Sequence, residues 1–493
     1  MSGARHTDGH SEGITPRPAL RLPPLSVLID GKWLERRNCF AVLDKYTQET
    51  IAEVGQASAE DVASAVAVAQ ASFEKGPIPP VERARVLRKA ADLVQTHHDR
   101  LVDIMVAETG FTPADAAGDI ARTIVTLNLC AEEATRVTGE TVAFAATPGQ
   151  HDRLGFTIRV PIGVVCAITP FNSPLNTVAH KIGPALAAGN PVVLKPAAMT
   201  PLSAAVLCEI LLEAGLPPSM LALVHGPGGR IGQLLVEDQR IAFYTFTGST
   251  QVGRTIQQGA GLRRTQMELG SIASTLVCAD ADLDRAIPRI ANAGFRKAGQ
   301  VCTSVQRLYV ATSRLDEVLD RLVAAAQAMP AGDPHAKTTR VGPMISPTEA
   351  KRAEQWIDEA SAQQARILHG GTRIGAVLAP TIVANASSGM RVVDEEIFAP
   401  CIAVMAFDDL DTAIHHANNT HYGLAAGIFT ADVDKALKVA THLRFGAIHI
   451  NETSSCRADG MPFGGVKQSG FGHEGPKYAI RELTEEHLIT FNR

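Results

Sequence analysis

The chain has 493 residues, 45% of them hydrophobic and 20% charged, with a formal net charge of −5. That is the balance of a globular protein, and the length suits two or three domains. Nothing favours a polyanion partner, since no run of Lys and Arg is dense enough for a nucleic-acid patch.

Residues 1–24 mix Gly, Ser, His, Arg and Pro without the apolar core of a signal peptide, and read as a mobile leader. Residues 27–33 read as a first strand and turn. Residues 59–71 have helical spacing, and 81–109 continue helical. A further helix covers 119–133. The apolar run 163–170 has strand length, and 176–188 read as a helix closed by Gly189-Asn190. Strands follow at 191–196, 221–226 and 241–246, with a helix at 200–214 and another after Thr250. This alternation predicts a parallel sheet covered by helices. After Glu268 the pattern restarts, with strand candidates at 274–279, 306–311 and 401–407 separated by helices, so a second α/β domain is expected. Two β-like pieces, 156–159 and 487–493, lie outside both patterns and are predicted to pair as an accessory sheet. No segment reaches about 18 uninterrupted apolar residues, so no membrane span is expected. The eight cysteines include no CxxC pair and no adjoining His cluster. They read as reduced thiols of a cytoplasmic protein, with no metal site.

Four short motifs can carry chemistry. Cys302 follows Gly299-Gln300-Val301, where glycine permits a sharp turn and a thiolate can attack a carbonyl carbon. A buried structural cysteine is the plainer reading of the same residues. Glu268 stands in an apolar setting beside Leu269-Gly270; it is either a base with a raised pKa or a loop glutamate. Asn172, between Pro170 and Pro174, can donate to an oxyanion or close an Asx turn. Thr247-Gly248-Ser249-Thr250 lies between strand and helix, where backbone N–H groups can receive a phosphate. Gly226 to Gly232 is a second Gly-rich turn after a strand. Both are equally ordinary loops, and neither is the GxGxxG fingerprint.

Order and spacing join these motifs to others. TPFN (169–172), GPALAAGNPVVLKPA (183–197), FTGST (246–250), MELG (267–270), GQVC (299–302), EEIF (395–398), YGLAAGIFT (422–430) and PFGGVKQSGFG (462–472) run in one series. On these the chain resembles the aldehyde dehydrogenase superfamily from about Ile29 to its C-terminus. The resemblance implies an α/β fold with a Rossmann-like cofactor domain (25–138 and 160–270), an α/β catalytic domain (271–478) and a small β oligomerisation arm (139–159 and 479–493). It implies a homodimer or homotetramer, NAD or NADP as cofactor, and a small-molecule aldehyde as substrate.

In that resemblance Cys302 is the nucleophile, Asn172 and the Cys302 N–H form the oxyanion hole, and Glu268 activates the water that releases the acid. Lys195 meets the adenosine ribose, Gly248 and Ser249 the pyrophosphate, Glu396 the nicotinamide ribose, and Phe398 packs near its ring. Thr169, Pro170 and Phe171 belong to the same cofactor cleft, as do Gly228, Gly232, Phe246, Val252 and Leu269. Two positions depart from the pattern. Ala198 stands where NAD-preferring members often carry Glu, so NADP is expected to be tolerated. Ser271 replaces a common Gly.

Ser173, Asn176, Thr177, His180 and Arg457 match the substrate tunnel, and Arg122 can face its mouth. Apolar-aldehyde members are largely aromatic and aliphatic there. The similarity is greatest to the branch of phosphonoacetaldehyde, lactaldehyde and semialdehyde dehydrogenases. A short aldehyde with a phosphono, sulfo or carboxylate tail is therefore expected, held by guanidinium forks. The same arginines can instead form structural ion pairs with carboxylates such as Asp459. A neutral small aldehyde, a CoA-acylating reaction and a non-catalytic structural relative are the rival readings. Glu268 argues against the second, because acylating members usually lack it.

Overall fold

The computed structural model describes residues 20–492. Of the leader expected over 1–24, residues 1–19 lie outside the described residues, and 20–24 have no regular structure.

Two sheets organise the chain. In the first, five parallel strands run in the order Leu221–Leu223, Val192–Lys195, Val164–Ile168, Ile241–Thr247 and Arg264–Glu268. Most of their side chains are buried. Helices cover both faces, which is why these strands read as apolar runs rather than as alternating patterns. The hairpin Val27–Ile29 and Lys32–Leu34 closes one edge. The second sheet takes the order Arg366–His369, Thr381–Ala384, Cys401–Phe407, Arg307–Ala311, Ser274–Val277, Ala425–Phe429 and Ala447–Ile450. Only its first strand is antiparallel.

The chain crosses back late. Gly470–Phe471 pairs antiparallel with Arg264–Glu268, setting Gly470 opposite Glu268. Gly470 has φ 105°, and a Cβ there would lie 2.0 Å from the Met267 carbonyl oxygen. Only glycine lets the two strands approach this closely. A third sheet joins Thr484–Asn492, Arg153–Pro161 and Thr141–Val142, with His487 opposite Ile158. This is the pairing expected for the two isolated β-like pieces.

Several local expectations shift. The helical stretch expected over 81–109 is two helices, Pro80–Thr96 and His98–Thr109, separated at His97. The turn expected between Gly226 and Gly232 becomes a helix, Gly228–Glu237, because burying Ile231 and Leu235 outweighs the low helix propensity of three glycines. At the start of the segment expected as an arm, Pro476–Glu482 is a helix whose Ala479 and Ile480 pack with buried residues of the first sheet and its helices, and Thr484–Asn492 extends into the third sheet. No helix among the described residues is long and apolar enough to cross a membrane.

Asn190 ties this corner together. Its Oδ1 accepts from the Gly163 N–H (3.0 Å) and its Nδ2 donates to the Leu483 carbonyl (2.9 Å), both in the interior. Asn190→Ala strands two buried backbone groups and is expected to cost roughly 2–4 kcal/mol, read as an earlier urea unfolding midpoint. An unchanged midpoint would show that water replaces the amide.

Candidate active site

One cavity of about 1020 Å³ is lined by residues of both α/β units, among them Lys195, Asn172, Glu268, Cys302, Glu396 and Arg457. The helix Leu283–Phe295 ends just before the loop that carries Cys302. Lys297, Ala298 and Gly299 then take three consecutive left-handed conformations, with φ 52°, 52° and 67°. A Cβ at Gly299 would stand 2.1 Å from the Ala399 carbonyl oxygen, so glycine is required where the chain turns towards Cys302. Gln300 anchors the loop from both ends. Its Oε1 accepts from the Ile345 N–H (3.0 Å), and its carbonyl accepts from Asn172 Nδ2 (2.8 Å). Asn172 keeps a second amide hydrogen, and the Cys302 N–H meets no protein acceptor among the described residues.

Glu268 ends its strand inside the cavity, 2% exposed, and its Oε1 has no hydrogen-bond partner. Burial, followed by repulsion from Glu474, pushes its carboxyl up to about 7. Burial also raises the Cys302 thiol well above its usual range, and the neighbouring Glu268 carboxylate adds to that shift by charge and by hydrogen bond. Beneath them lies an ion cluster. Glu474 accepts from Lys181 Nζ (3.2 Å), Arg457 Nη2 (2.5 Å) and Thr247 Oγ1 (3.3 Å). Burial opposes its ionisation, but the two cations hold it well below the usual carboxylate range.

A second group of residues suits a dinucleotide. Lys195 ends the strand Val192–Lys195 and is buried; its Nζ donates to the Pro196 carbonyl (3.2 Å), and burial lowers it to about 8. Ser249 caps the helix Thr250–Ala260, its hydroxyl accepting from the Val252 N–H (3.4 Å). A buried ammonium with only a main-chain acceptor and a helix N-terminus, both lining one cavity, fit ribose hydroxyls and phosphates. Glu396 accepts from the Ser271 N–H (2.8 Å), and burial raises it to about 7. Phe398 sits at φ 50° with its ring edge-on to Phe171, 5.9 Å between centroids. Thr169, Pro170, Gly228, Gly232, Phe246 and Leu269 border the same cavity, as does Val252, which is 47% exposed. Ala198 does not line it; its neighbour Ala197 does.

The expected substrate anchors are largely committed to buried carboxylates. Arg122 binds Asp459 through Nε and Nη2, the shorter contact being 2.7 Å. The same Asp459 oxygen accepts from Asn176 Nδ2 (3.1 Å) and lies 3.0 Å from His180 Nε2. His180 is buried and does not line the cavity. Arg457 is bound to Glu474 and stacks on Phe463. Ser173 donates to Asp119, and Thr177 lines the wall beside it. So Arg457 is a wall element first, His180 lies behind the wall, and Arg122 keeps only Nη1 unengaged by Asp459. The desolvation cost of an unpaired buried charge drives these pairings.

Arg296 is different, and it does not stand out in the sequence. It lines the cavity six positions before Cys302 and donates to Ser455 Oγ at 2.8 Å. It makes no ion pair among the described residues, and burial lowers its pKa. The adjacent basic pair Arg296-Lys297, just ahead of the Cys302 loop, was the available signal.

A cavity between two α/β units, with thiol, carboxyl and carboxamide converging on it, is the layout of an enzyme site. The model of the aldehyde dehydrogenase family matches residues 33–489, and the chain belongs to that family. It is an enzyme that works with NAD or NADP. It is 44% identical over 464 residues to the 3-sulfolactaldehyde dehydrogenase of Priestia aryabhattai, covering 94% of this chain and 97% of that one. Among solved structures, aldehyde dehydrogenase 21 of Physcomitrella patens, in complex with the reaction product succinate, superposes with a TM-score of 0.92 at 35% identity over 97% of this chain and 99% of that one. Betaine aldehyde dehydrogenase of Staphylococcus aureus, in complex with NAD+, gives 0.91 at 31% identity over 95% of each.

The charge relation between Glu268 and Cys302 is open to a direct test. Because the carboxylate disfavours the thiolate, Glu268→Gln is expected to speed iodoacetamide alkylation of Cys302 at about pH 8, by roughly tenfold for each unit the thiol pKa falls. Slower alkylation would show that Glu268 acts on the resting thiol chiefly as a base.

Proposed function

We propose that this enzyme oxidises a short aldehyde with an anionic tail to the carboxylate, through a thioester on Cys302. The observation that carries the substrate class is Arg296, a cavity-lining guanidinium with no carboxylate partner, beside the free Nη1 edge of Arg122. The 3-sulfolactaldehyde dehydrogenase relative and the succinate-bound structural neighbour support the same reading.

The Cys302 sulfur attacks the aldehyde carbon while its proton leaves to Glu268. The oxyanion is met by the Cys302 N–H and the free Asn172 amide hydrogen. Lys195, Ser249 and Glu396 would hold NAD or NADP, which would supply the hydride acceptor. Glu268 passes its proton to solvent and, ionised again, takes one from water; the resulting hydroxide attacks the thioester carbon, and the Cys302 sulfur leaves and recovers a proton from Glu268. Burial keeps bulk water from the thioester before that step. With Ala198 in place of a carboxylate, both cofactors are accepted.

The β arm is proposed to pair with a second copy, in a homodimer or homotetramer. Leu154, Leu488 and Phe491 are exposed along it. The eight free cysteines support a cytoplasmic setting.

A panel assay with either cofactor tests the substrate class. At least one of the sulfo-, carboxy- and phosphono-aldehydes is expected to exceed propanal in kcat/KM by about tenfold or more, with all turnover lost in Cys302→Ala. Propanal as the best substrate would reject the anionic class and leave the thioester route intact. A roughly thousandfold preference for NAD would reject dual cofactor use.

The base role is read from pH. Glu268 must be ionised to accept a proton, so kcat is expected to rise as pH passes about 7. Glu268→Gln should lower kcat by about 10²–10⁴-fold and erase that limb. A limb that survives the substitution belongs to another group.

A further inference from the structure

Near Cys302 the cavity wall carries four cationic side chains, Arg122, Arg296, Lys297 and Arg457. Three are neutralised by direct contact. Arg122 is bound to Asp459 at 2.7 Å, Lys297 to Asp119 at 2.9 Å, and Arg457 to Glu474 at 2.5 Å. Lys181 shares Glu474 at 3.2 Å, and Glu268 supplies the second carboxylate of that group. His180 bonds Asp459, and burial favours its neutral form. Asp115 is the carboxylate whose charge acts most strongly on Arg296. It is occupied by the Thr112 hydroxyl and reaches Arg296 only through space, outside ion-pair distance. Arg296 therefore leaves one positive charge without a bonded counter-ion.

We propose that this cavity selects an aldehyde whose tail carries a single negative charge, a sulfonate or a carboxylate, and disfavours a doubly charged phosphonate. The inference rests on the anionic-substrate reading above and narrows it. One anionic charge meets Arg296 and the free edge of Arg122. A second charge on the same tail finds no uncommitted cation, and it faces Asp459, Asp119 and Glu474 across the wall. Desolvating that second charge without a partner is unfavourable.

The phosphonate tail provides its own control, because it passes from monoanion to dianion near neutral pH, as a phosphate ester does at about 6. The measurement is kcat/KM for sulfoacetaldehyde and phosphonoacetaldehyde, each divided by the value for propanal, from about pH 6 to about pH 8.5. Dividing by propanal removes the effect of the Glu268 titration on the chemistry, and the sulfo ratio, whose tail charge is constant, reports its effect on anion binding. The phosphono ratio is expected to fall about tenfold or more relative to the sulfo ratio as the dianion forms. In Arg296→Met both ratios should collapse and the phosphono slope should vanish; Arg296→Lys, which keeps the charge, should retain the slope. A phosphono ratio that rises with pH, or ratios that Arg296→Met leaves intact, overturns the charge count while an anionic substrate stands. Propanal outrunning both anionic aldehydes at every pH overturns the substrate class and this inference together.

Discussion

The buried carboxylate of Asp119 is the contact on which the site's geometry turns. It accepts from Ser173 Oγ and from the Asn176 N–H (3.1 Å), and it pairs with Lys297 Nζ at 2.9 Å. Ser173 adjoins Asn172, and Lys297 opens the left-handed turn that leads to Cys302. One side chain thus fixes two loops from different α/β units relative to each other. Burial works against its charge, yet Lys297, Ser173 and the Asn176 N–H together keep it below the usual carboxylate range. Breaking a fully buried pair from one side typically costs about 3–5 kcal/mol, because the remaining charge has no solvent to turn to. That penalty makes the relative placement of amide and thiol stiff.

The same low-dielectric setting arranges the protons. Cys302 and Glu268 each resist ionisation there; the Glu268 carboxylate makes the thiolate less favourable, while the hydrogen bond from the Cys302 thiol partly offsets the burial that opposes the carboxylate. Glu474 would push Glu268 further still, were it not held by Lys181 and Arg457. Those two cations do double service: they keep Glu474 ionised and temper its effect on Glu268, which ends near neutrality. A base poised at that level can take a proton and give it back within one turnover.

Much of this was legible in the chain. The strands Val164–Ile168, Val192–Lys195 and Ile241–Thr247 announced themselves because both faces are buried, and Asn176–Ala188 is bounded as its pattern predicts. Cys302, Glu268 and Asn172 were ambiguous in their glycine and proline settings taken singly, and stood out only through the order and spacing of eight motifs together. The electrostatic scaffold was harder to see. Asp115, Asp119, Arg122 and Thr126 recur at helical spacing of three and four, so they form one polar stripe on Pro113–Ala134. Such a stripe looks like a solvated face. Only the tertiary fold shows that Asp119 and Thr126 are buried and that Arg122 faces Asp459, 337 positions away. Local pattern carries no information about partners at that separation.

That limit explains why the basic residues in the tunnel positions were weighed as anchors. Counting cations predicts affinity for anions only if the cations are free, and an enclosed wall favours pairing each of them. Arg457 and Arg122 satisfy that requirement with Glu474 and Asp459, and so become parts of the wall. The informative residue is the exception. Arg296 is drawn from water, placed beside the thiol and given only a serine hydroxyl, an arrangement unfavourable for the empty protein. On the proposed reading that cost is offset when an anionic tail binds, and the strain that burial imposes on Arg296 would become selectivity for the substrate's charge.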